Sequence, residues 1–304
     1  MPSRTTSRLQ LIAAAALFST GGAAIKAVTL SSWQVAGFRS GIAALTVLLL
    51  VPAARRGWSW RVVMVAGAYA ATMVLFVAAN KLTTAANTIF LQSTAPLYIL
   101  LLGPLLLRER ITREDLVFMA VVAFGLSLFF VGVEEPAVTA PNPARGDLLA
   151  ALAGFTWALT ILGLRWLGSG SGGEGGGGEG ALATVVIGNA LAFLVCLPMA
   201  LPVVDASAVD WALVGYLGIF QVGVAYLFLT SGIRHIPALE AATLLLVEPA
   251  LNPIWAWLIH DETPSSWALV GGAAILSATV VKTWWDERSS RAGEKWTEEV
   301  DAAG

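Results

Sequence analysis

The sequence predicts an all-α polytopic membrane protein whose ten transmembrane helices form two inverted five-helix repeats. Three observations carry that prediction. First, 57% of the 304 residues are apolar and only 12% charged, with a mean hydropathy of +0.75, whereas a soluble chain carries about 25% charged residues. Second, ten apolar runs follow one another, each of about 20 residues, the length that crosses a hydrocarbon core. Third, the chain matches itself at a shift of 153 residues: Pro96 falls on Pro249, Glu109 on Glu262 and Lys81 on Arg234. Each copy holds five runs, and an odd number of crossings turns the second copy upside down relative to the first.

The spans read in order as follows. Arg4 and Arg8 precede the first, 9–29, which is too long for a secretory signal and lacks a small-residue cleavage site, so it reads as a retained span. Trp33 opens the second, 33–51, which carries Arg39 inside it. Arg55, Arg56 and Arg61 introduce the third, 61–79, and Lys81 the fourth, 84–107, which is interrupted by Pro96 and Pro104. The fifth, 114–133, follows the charges at Arg108, Glu109 and Arg110. The second copy repeats the series at 147–167, 181–201, 211–233, 239–259 and 266–284, with Pro249 and Pro253 inside its fourth member. The boundaries so drawn give a first repeat at 1–135, a second at 136–286 and a charged tail at 287–304, read as a disordered cytoplasmic end. A Gly-rich loop at 168–180 reads as a flexible linker.

Lys and Arg between the spans set the orientation. With the amino terminus cytoplasmic, most of them, Arg165 and Lys282 included, fall inside, and only Lys26, Lys81 and Arg145 fall outside. Both termini are then cytoplasmic, in a multi-pass protein of the bacterial inner membrane. The loop at Glu109 is flanked by Arg108 and Arg110 while its counterpart Glu262 follows Asp261, the charge change that inversion requires. Trp33, Trp58, Trp60, Trp166, Trp211, Trp267, Trp284 and Trp285 sit near span ends, where indole prefers the headgroup level. Trp157, Trp255 and Trp257 lie deeper and must face lipid, a neighbouring helix or a cavity.

Several function classes drop out. The net charge of -2 leaves no basic nucleic-acid footprint, and the lone Cys196 supports no disulfide framework. The Gly-rich tract lacks the Lys and Ser or Thr of a phosphate-cradling loop. His235 and His260 are assigned to opposite faces, too far apart to share a metal, so no cofactor or metal is expected.

Candidate binding residues are polar groups inside apolar spans. Glu248 lies about 14 Å into its span, where an acidic side chain costs about +3 kcal/mol; it reads as a contact for a substrate amine or a proton carrier, or else as a partner of backbone groups freed by proline. Pro96, Pro249 and Pro253 lack the amide proton that closes a helical bond, freeing carbonyls such as those of Gln92 and Leu245; they read as hinges beside a site or as packing kinks. Thr88 and Gln92 share a helix face with Asn87 beside them, and Thr156, Trp157, Gln221, Ser19 and Thr20 extend the polar set. Such groups line a cavity or bond neighbouring helices. Tyr226 offers a phenol and a ring to the same wall. Arg39 either binds a substrate carboxylate, balances Glu248 or snorkels to the interface. Lys81 and Arg234 read as anchors of helix ends, and Glu109 and Glu262 as caps or tethers.

The first half carries LFSTGGAAIKAV, WQVAGFRSGIAAL and APLYILLLGPLLLRERIT, and the second carries GDLLAALAGFTWAL and VAYLFLTSGIRHIPALEAATLLLVEPALNPIWAWLIHDE. With these ordered sets the chain resembles the EamA family of the drug/metabolite transporter superfamily over nearly its whole length. The resemblance implies a ten-helix carrier of small metabolites with a central cavity lined by spans one, three, four, six, eight and nine, and an aromatic residue at the position of Tyr226.

The function expected is a secondary transporter, an exporter by preference, of small amphipathic metabolites such as amino acids, working by alternating access at a midplane cavity. Proton coupling through Glu248 is one variant and facilitated exchange the other. Two other classes stand beside it: a membrane scaffold subunit that does not transport, built on the small residues Gly271 to Ala274, and an intramembrane enzyme, for which no nucleophile or metal motif is present. The partners expected are a small-molecule substrate and membrane lipid, without nucleic acid.

Overall fold

Apolar runs too long for a soluble core and too poor in turn residues for strands should fold as helices, and the computed structural model, which describes residues 4–106, 111–131, 135–170, 176–232 and 238–303, is built of helices joined by short connections. No strand occurs among them; Ala137 and Ala140 form one isolated bridge. The helices are α1 (Arg4–Ser19), α2 (Gly21–Ala27), α3 (Ser32–Leu50), α4 (Trp60–Asn80), α5 (Ala85–Gln92), α6 (Ala95–Leu106) and α7 (Arg113–Val131). The chain continues through α8 (Pro143–Gly170), α9 (Gly176–Ala200), α10 (Ala208–Tyr216), a π-helical stretch at Leu217–Val224, α11 (Ala225–Gly232), α12 (Ala238–Leu245), α13 (Val247–His260) and α14 (Ser266–Ala303).

Side-chain caps set several starts. Ser31 accepts from the Gln34 amide at 3.3 Å while the Gln34 side chain accepts from the Ser31 amide at 3.0 Å, closing a capping box on α3. Ser207 and Asp210 do the same for α10, and Thr84 caps α5.

Among the described residues nine helical stretches are long and apolar enough to cross a membrane, not the ten expected. The expected span at 239–259 is two helices, α12 and α13. Pro249 has no amide proton to give to the Leu245 carbonyl, and one turn earlier the Leu246 amide closes a tight turn on the Thr243 carbonyl at 3.2 Å. The same chemistry parts α5 from α6: Pro96 leaves the Gln92 carbonyl without its helical donor, and Thr94 donates its hydroxyl to the Leu91 carbonyl at 2.6 Å.

Two more interruptions were not expected. The first span divides at Thr20, whose hydroxyl bonds the Leu17 carbonyl at 2.7 Å just before Gly21 and Gly22. The eighth passes through the π-helical stretch. There Gly218 lies so close to α3 that a Cβ would stand 2.8 Å from the Arg39 carbonyl and 2.6 Å from Ile42.

The two predicted repeats do not form separate globules. α3 and α4 of the first pack on α9 and α8 of the second, α1 packs on α11 and α13, and α7 on α14. Leu49, Met64, Val117, Phe124, Val195, Leu258 and Val270 stay exposed on the outside, the surface that lipid rather than water suits. The three deep tryptophans take the three surroundings open to them: Trp257 is exposed on the outside, Trp255 donates to the Ser19 hydroxyl on α1 at 3.0 Å, and Trp157 faces a cavity.

Of the Gly-rich tract expected as a linker, 168–170 close α8 and 176–180 open α9, while 171–175 lie outside the described residues. The tail expected to be disordered continues α14 as far as Ala303, in keeping with its wealth of Ala, Glu, Lys and Arg. Glu109, Arg108, Arg110, Arg234 and His235 also lie outside the described residues.

α8 approaches the α5–α6 break at Gly154, where a Cβ would meet the backbone carbonyls of Leu91 and Gln92 at 2.9 and 3.1 Å. Backbone cannot yield there as a side chain could. Gly154→Val should lower the thermal stability of the purified protein by about 1–3 kcal/mol, read as a fall in melting temperature, while Gly168→Ala, at a position with open space around it, should leave it unchanged.

Candidate functional site

The four interruptions meet around one cavity of about 320 Å³. Phe18 borders the break after α1, Gln92 and Ser93 stand at the end of α5, Leu246 and Glu248 flank the start of α13, and Gln221 lies in the π-helical stretch. Broken helices expose carbonyls that an apolar surround cannot satisfy, so irregular backbone at this depth belongs beside a wet cavity.

Six of the predicted residues line it besides Glu248: Gln92, Trp157, Gln221, Tyr226, Pro96 and Pro249. Its aromatic wall is built by stacking. The Tyr226 ring meets Phe18 edge-on at 5.3 Å and Tyr69 at 6.0 Å, and Tyr69 stands 6.5 Å from Trp157.

The other predicted residues do not line this cavity, and most of them bond helices together. Thr156 accepts from the Thr72 hydroxyl on α4 at 2.8 Å. Thr88 turns back to the Thr84 carbonyl at 3.0 Å, satisfied within its own helix. Asn87 donates to Asp147 at 3.1 Å, Ser19 receives Trp255, and Thr20 meets the Tyr216 hydroxyl at 2.9 Å. Pro253 lies inside α13, a turn beyond the lining residues.

Arg39 is where the sequence left three readings open, and it does not snorkel. It is 1% exposed and borders the cavity. The π-helical stretch and α4 cover it: Nη2 donates to the Met73 carbonyl at 3.3 Å, Nη1 makes a long contact to Gln221 Oε1 at 3.5 Å, and Phe76 lies 6.0 Å from the guanidinium. Among the described residues its Nε has no partner and no carboxylate pairs with it. Phe18, Met73, Phe76 and Ser93 also line the cavity and escaped the sequence reading, since nothing in an apolar run marks which face is wet.

One end of the bundle is closed by buried polar contacts. Lys26 on α2 pairs with Glu262 after α13 at 3.0 Å, both side chains 3% exposed. Lys26 also donates to the Thr83 and Thr139 carbonyls at 2.7 and 2.5 Å, and Glu262 receives the Ala85 amide at the start of α5. Asp210 accepts from the Thr29 amide at 2.6 Å and hydroxyl at 2.9 Å, Lys81 donates to the Val28 carbonyl, and His260 meets the Ala23 carbonyl at 2.8 Å. Burial pushes the Lys81 ammonium down to about 8, with neighbouring Lys26 adding to the effect.

A second cavity of about 420 Å³ shares Pro96 and Thr279 with the first and runs on past Gly103 and Pro104 to Asp115, Arg165 and Lys282. There Lys282 pairs with Asp115 at 2.9 Å, and Arg8 pairs with Glu240 on the exposed surface. Among the described residues no three His, Cys, Asp or Glu side chains gather as metal ligands would.

Comparison with known proteins agrees with this architecture. A crystal structure superposes with a TM-score of 0.60 over 94% of this chain and 99% of its own, at 20% identity, a likeness of fold. The pseudopaline exporter CntI of Pseudomonas aeruginosa, from two strains, is 26% identical over 281 residues, which are 90% of this chain and 94% of the exporter. The EamA-like transporter family matches residues 6–131 and again 144–284. The chain is a multi-pass membrane protein and belongs to the EamA-like transporter family.

Proposed function

We propose that the protein is a secondary transporter that exports small amphipathic metabolites, amino acids among them, by alternating access. The observation that carries this reading is the central cavity: it lies between helices of both halves, holds Glu248 and Arg39, communicates with one end of the bundle and is closed from the other by the Lys26 and Glu262 contacts. Family membership and the exporter relatives favour a transporter over an enzyme.

In this reading α12 and α13 together make the tenth crossing, and the two matched segments are inverted copies of one five-helix unit. The open end, with Arg8, Arg165 and Lys282, is cytoplasmic by the positive-inside bias; both termini lie there, and the membrane is the bacterial inner membrane. Gln92, Trp157, Gln221, Tyr226 and Glu248 contact the cargo. Pro96 and Pro249 let the half-helices tilt. Ser19, Thr20, Asn87 and Thr156 act through helix contacts, Thr88 through its bond within α5, and Pro253 through the shape of α13.

Flux in liposomes tests it. Vesicles holding the purified protein and loaded with a mixture of the twenty common amino acids should release a subset of them faster than protein-free vesicles. Release no faster than from protein-free vesicles, for every amino acid in the mixture, would contradict the reading.

A further inference from the structure

The central cavity holds two opposite charges that do not satisfy each other. Arg39 borders it from α3, beside the π-helical stretch, with Nε unpartnered and no carboxylate paired with it among the described residues. Glu248 borders it from the start of α13 and, among the described residues, forms no ion pair and receives no hydrogen bond. A guanidinium has five donors in a rigid fork, and here Nη1 reaches Gln221 Oε1 at 3.5 Å and Nη2 reaches the Met73 carbonyl at 3.3 Å and its sulfur at 3.7 Å, while Nε has no partner. Burying such a charge unpaired costs several kcal/mol. The first turn of a helix favours a carboxylate, and a cation brought into the cavity beside Glu248 would favour it further.

Two charges of opposite sign that face one wet space without pairing leave both valences for an occupant. We infer that the cavity is built for a zwitterion, with Arg39 taking the carboxylate of the cargo, Glu248 taking its ammonium, and Phe18, Trp157 and Tyr226 taking its apolar part. The volume of about 320 Å³ suits a molecule of amino-acid size. Bidentate recognition of a planar carboxylate is the contact for which Arg is fitted, and the aromatic faces near Glu248 also favour a cation. The inference rests on the transport reading but assigns the charge pattern of the cargo and the residue that reads each end.

The test uses three probes: L-phenylalanine, its carboxyl amide, which lacks the negative charge, and N-acetyl-L-phenylalanine, which lacks the positive one. Binding is read by thermal shift of the purified protein and transport by liposome flux. The wild type should favour phenylalanine about 10-fold or more over either capped form, since a hydrogen bond between charged groups is worth that much. Arg39→Met should bring phenylalanine down to the level of the amide, and Glu248→Gln should bring it down to the level of the N-acetyl form. Arg39→Lys should restore part of the preference for a free carboxylate. In the empty protein Arg39→Met should melt no lower than the wild type, because the charge it removes is unpaired. A wild type that treats the three probes alike overturns the inference, and so does an Arg39→Met protein that loses stability or loses all three probes equally. Zwitterion-selective binding without flux removes the transport reading and leaves the charge assignment; flux without selectivity does the reverse.

Discussion

Glu262→Ala should cost the protein about 3–5 kcal/mol of stability, the usual consequence of stranding one member of a buried ion pair. Lys26 would keep its bonds to the Thr83 and Thr139 carbonyls but lose the Glu262 carboxylate, and α5 would lose the acceptor of its Ala85 amide. The loss should appear as a lower melting temperature in detergent. Glu262→Gln keeps an acceptor for Ala85 and should cost less. The double variant Lys26→Met with Glu262→Gln should recover most of the loss, because a buried pair is expensive chiefly when half of it is missing. An unchanged melting temperature for Glu262→Ala would show that these contacts do not hold that end shut.

The second large effect is functional. Glu248→Gln replaces a carboxylate by an amide of the same shape, so packing at the start of α13 is kept while the charge that faces the cavity is removed. Flux of a cationic or zwitterionic cargo should fall about 10- to 100-fold, the worth of one charge-assisted hydrogen bond. The same variant separates the two coupling variants. If Glu248 carries a proton through the cycle, the pH dependence of wild-type flux should flatten in Glu248→Gln; if exchange is facilitated only, the residual flux should keep the wild-type pH profile. Full activity in Glu248→Gln would remove this residue from the site.

The helical character of the chain and most of its spans were legible because composition and run length act on the whole sequence at once. The breaks at Pro96 and Pro249 were legible too, since a missing amide proton is a property of the residue itself. The breaks at Thr20 and at Gln221 were not. A π-helical stretch and a Ser-Thr turn arise from how close a neighbouring helix comes; Gly21 with Gly22 and Gly218 with Gly223 mark those places only in hindsight.

The candidate site divides in the same way. Glu248, Gln92, Trp157, Gln221 and Tyr226 stand out as unusual residues in apolar runs, and all five line the cavity. Thr88 stood out for the same reason yet turns back on the Thr84 carbonyl, because a hydroxyl in a helix can satisfy itself within one turn. Arg39 could not be placed from sequence. Its distance from the span end allows the side chain to reach water, and only the packing of α4 and the π-helical stretch over it keeps it in.

The central claim is that one cavity between the two halves opens alternately to the two sides of the membrane. In a Cys196→Ser background, Ser93→Cys places a single thiol on the cavity wall, and its reaction with a membrane-impermeant maleimide can be followed from each face. The account predicts rapid labelling from the cytoplasmic face, slow labelling from the opposite face, and faster labelling from that opposite face once Glu262→Ala opens the Lys26 contact. Equal labelling from both faces with that contact intact, or labelling only from the face that Lys26 and Glu262 close, would contradict it.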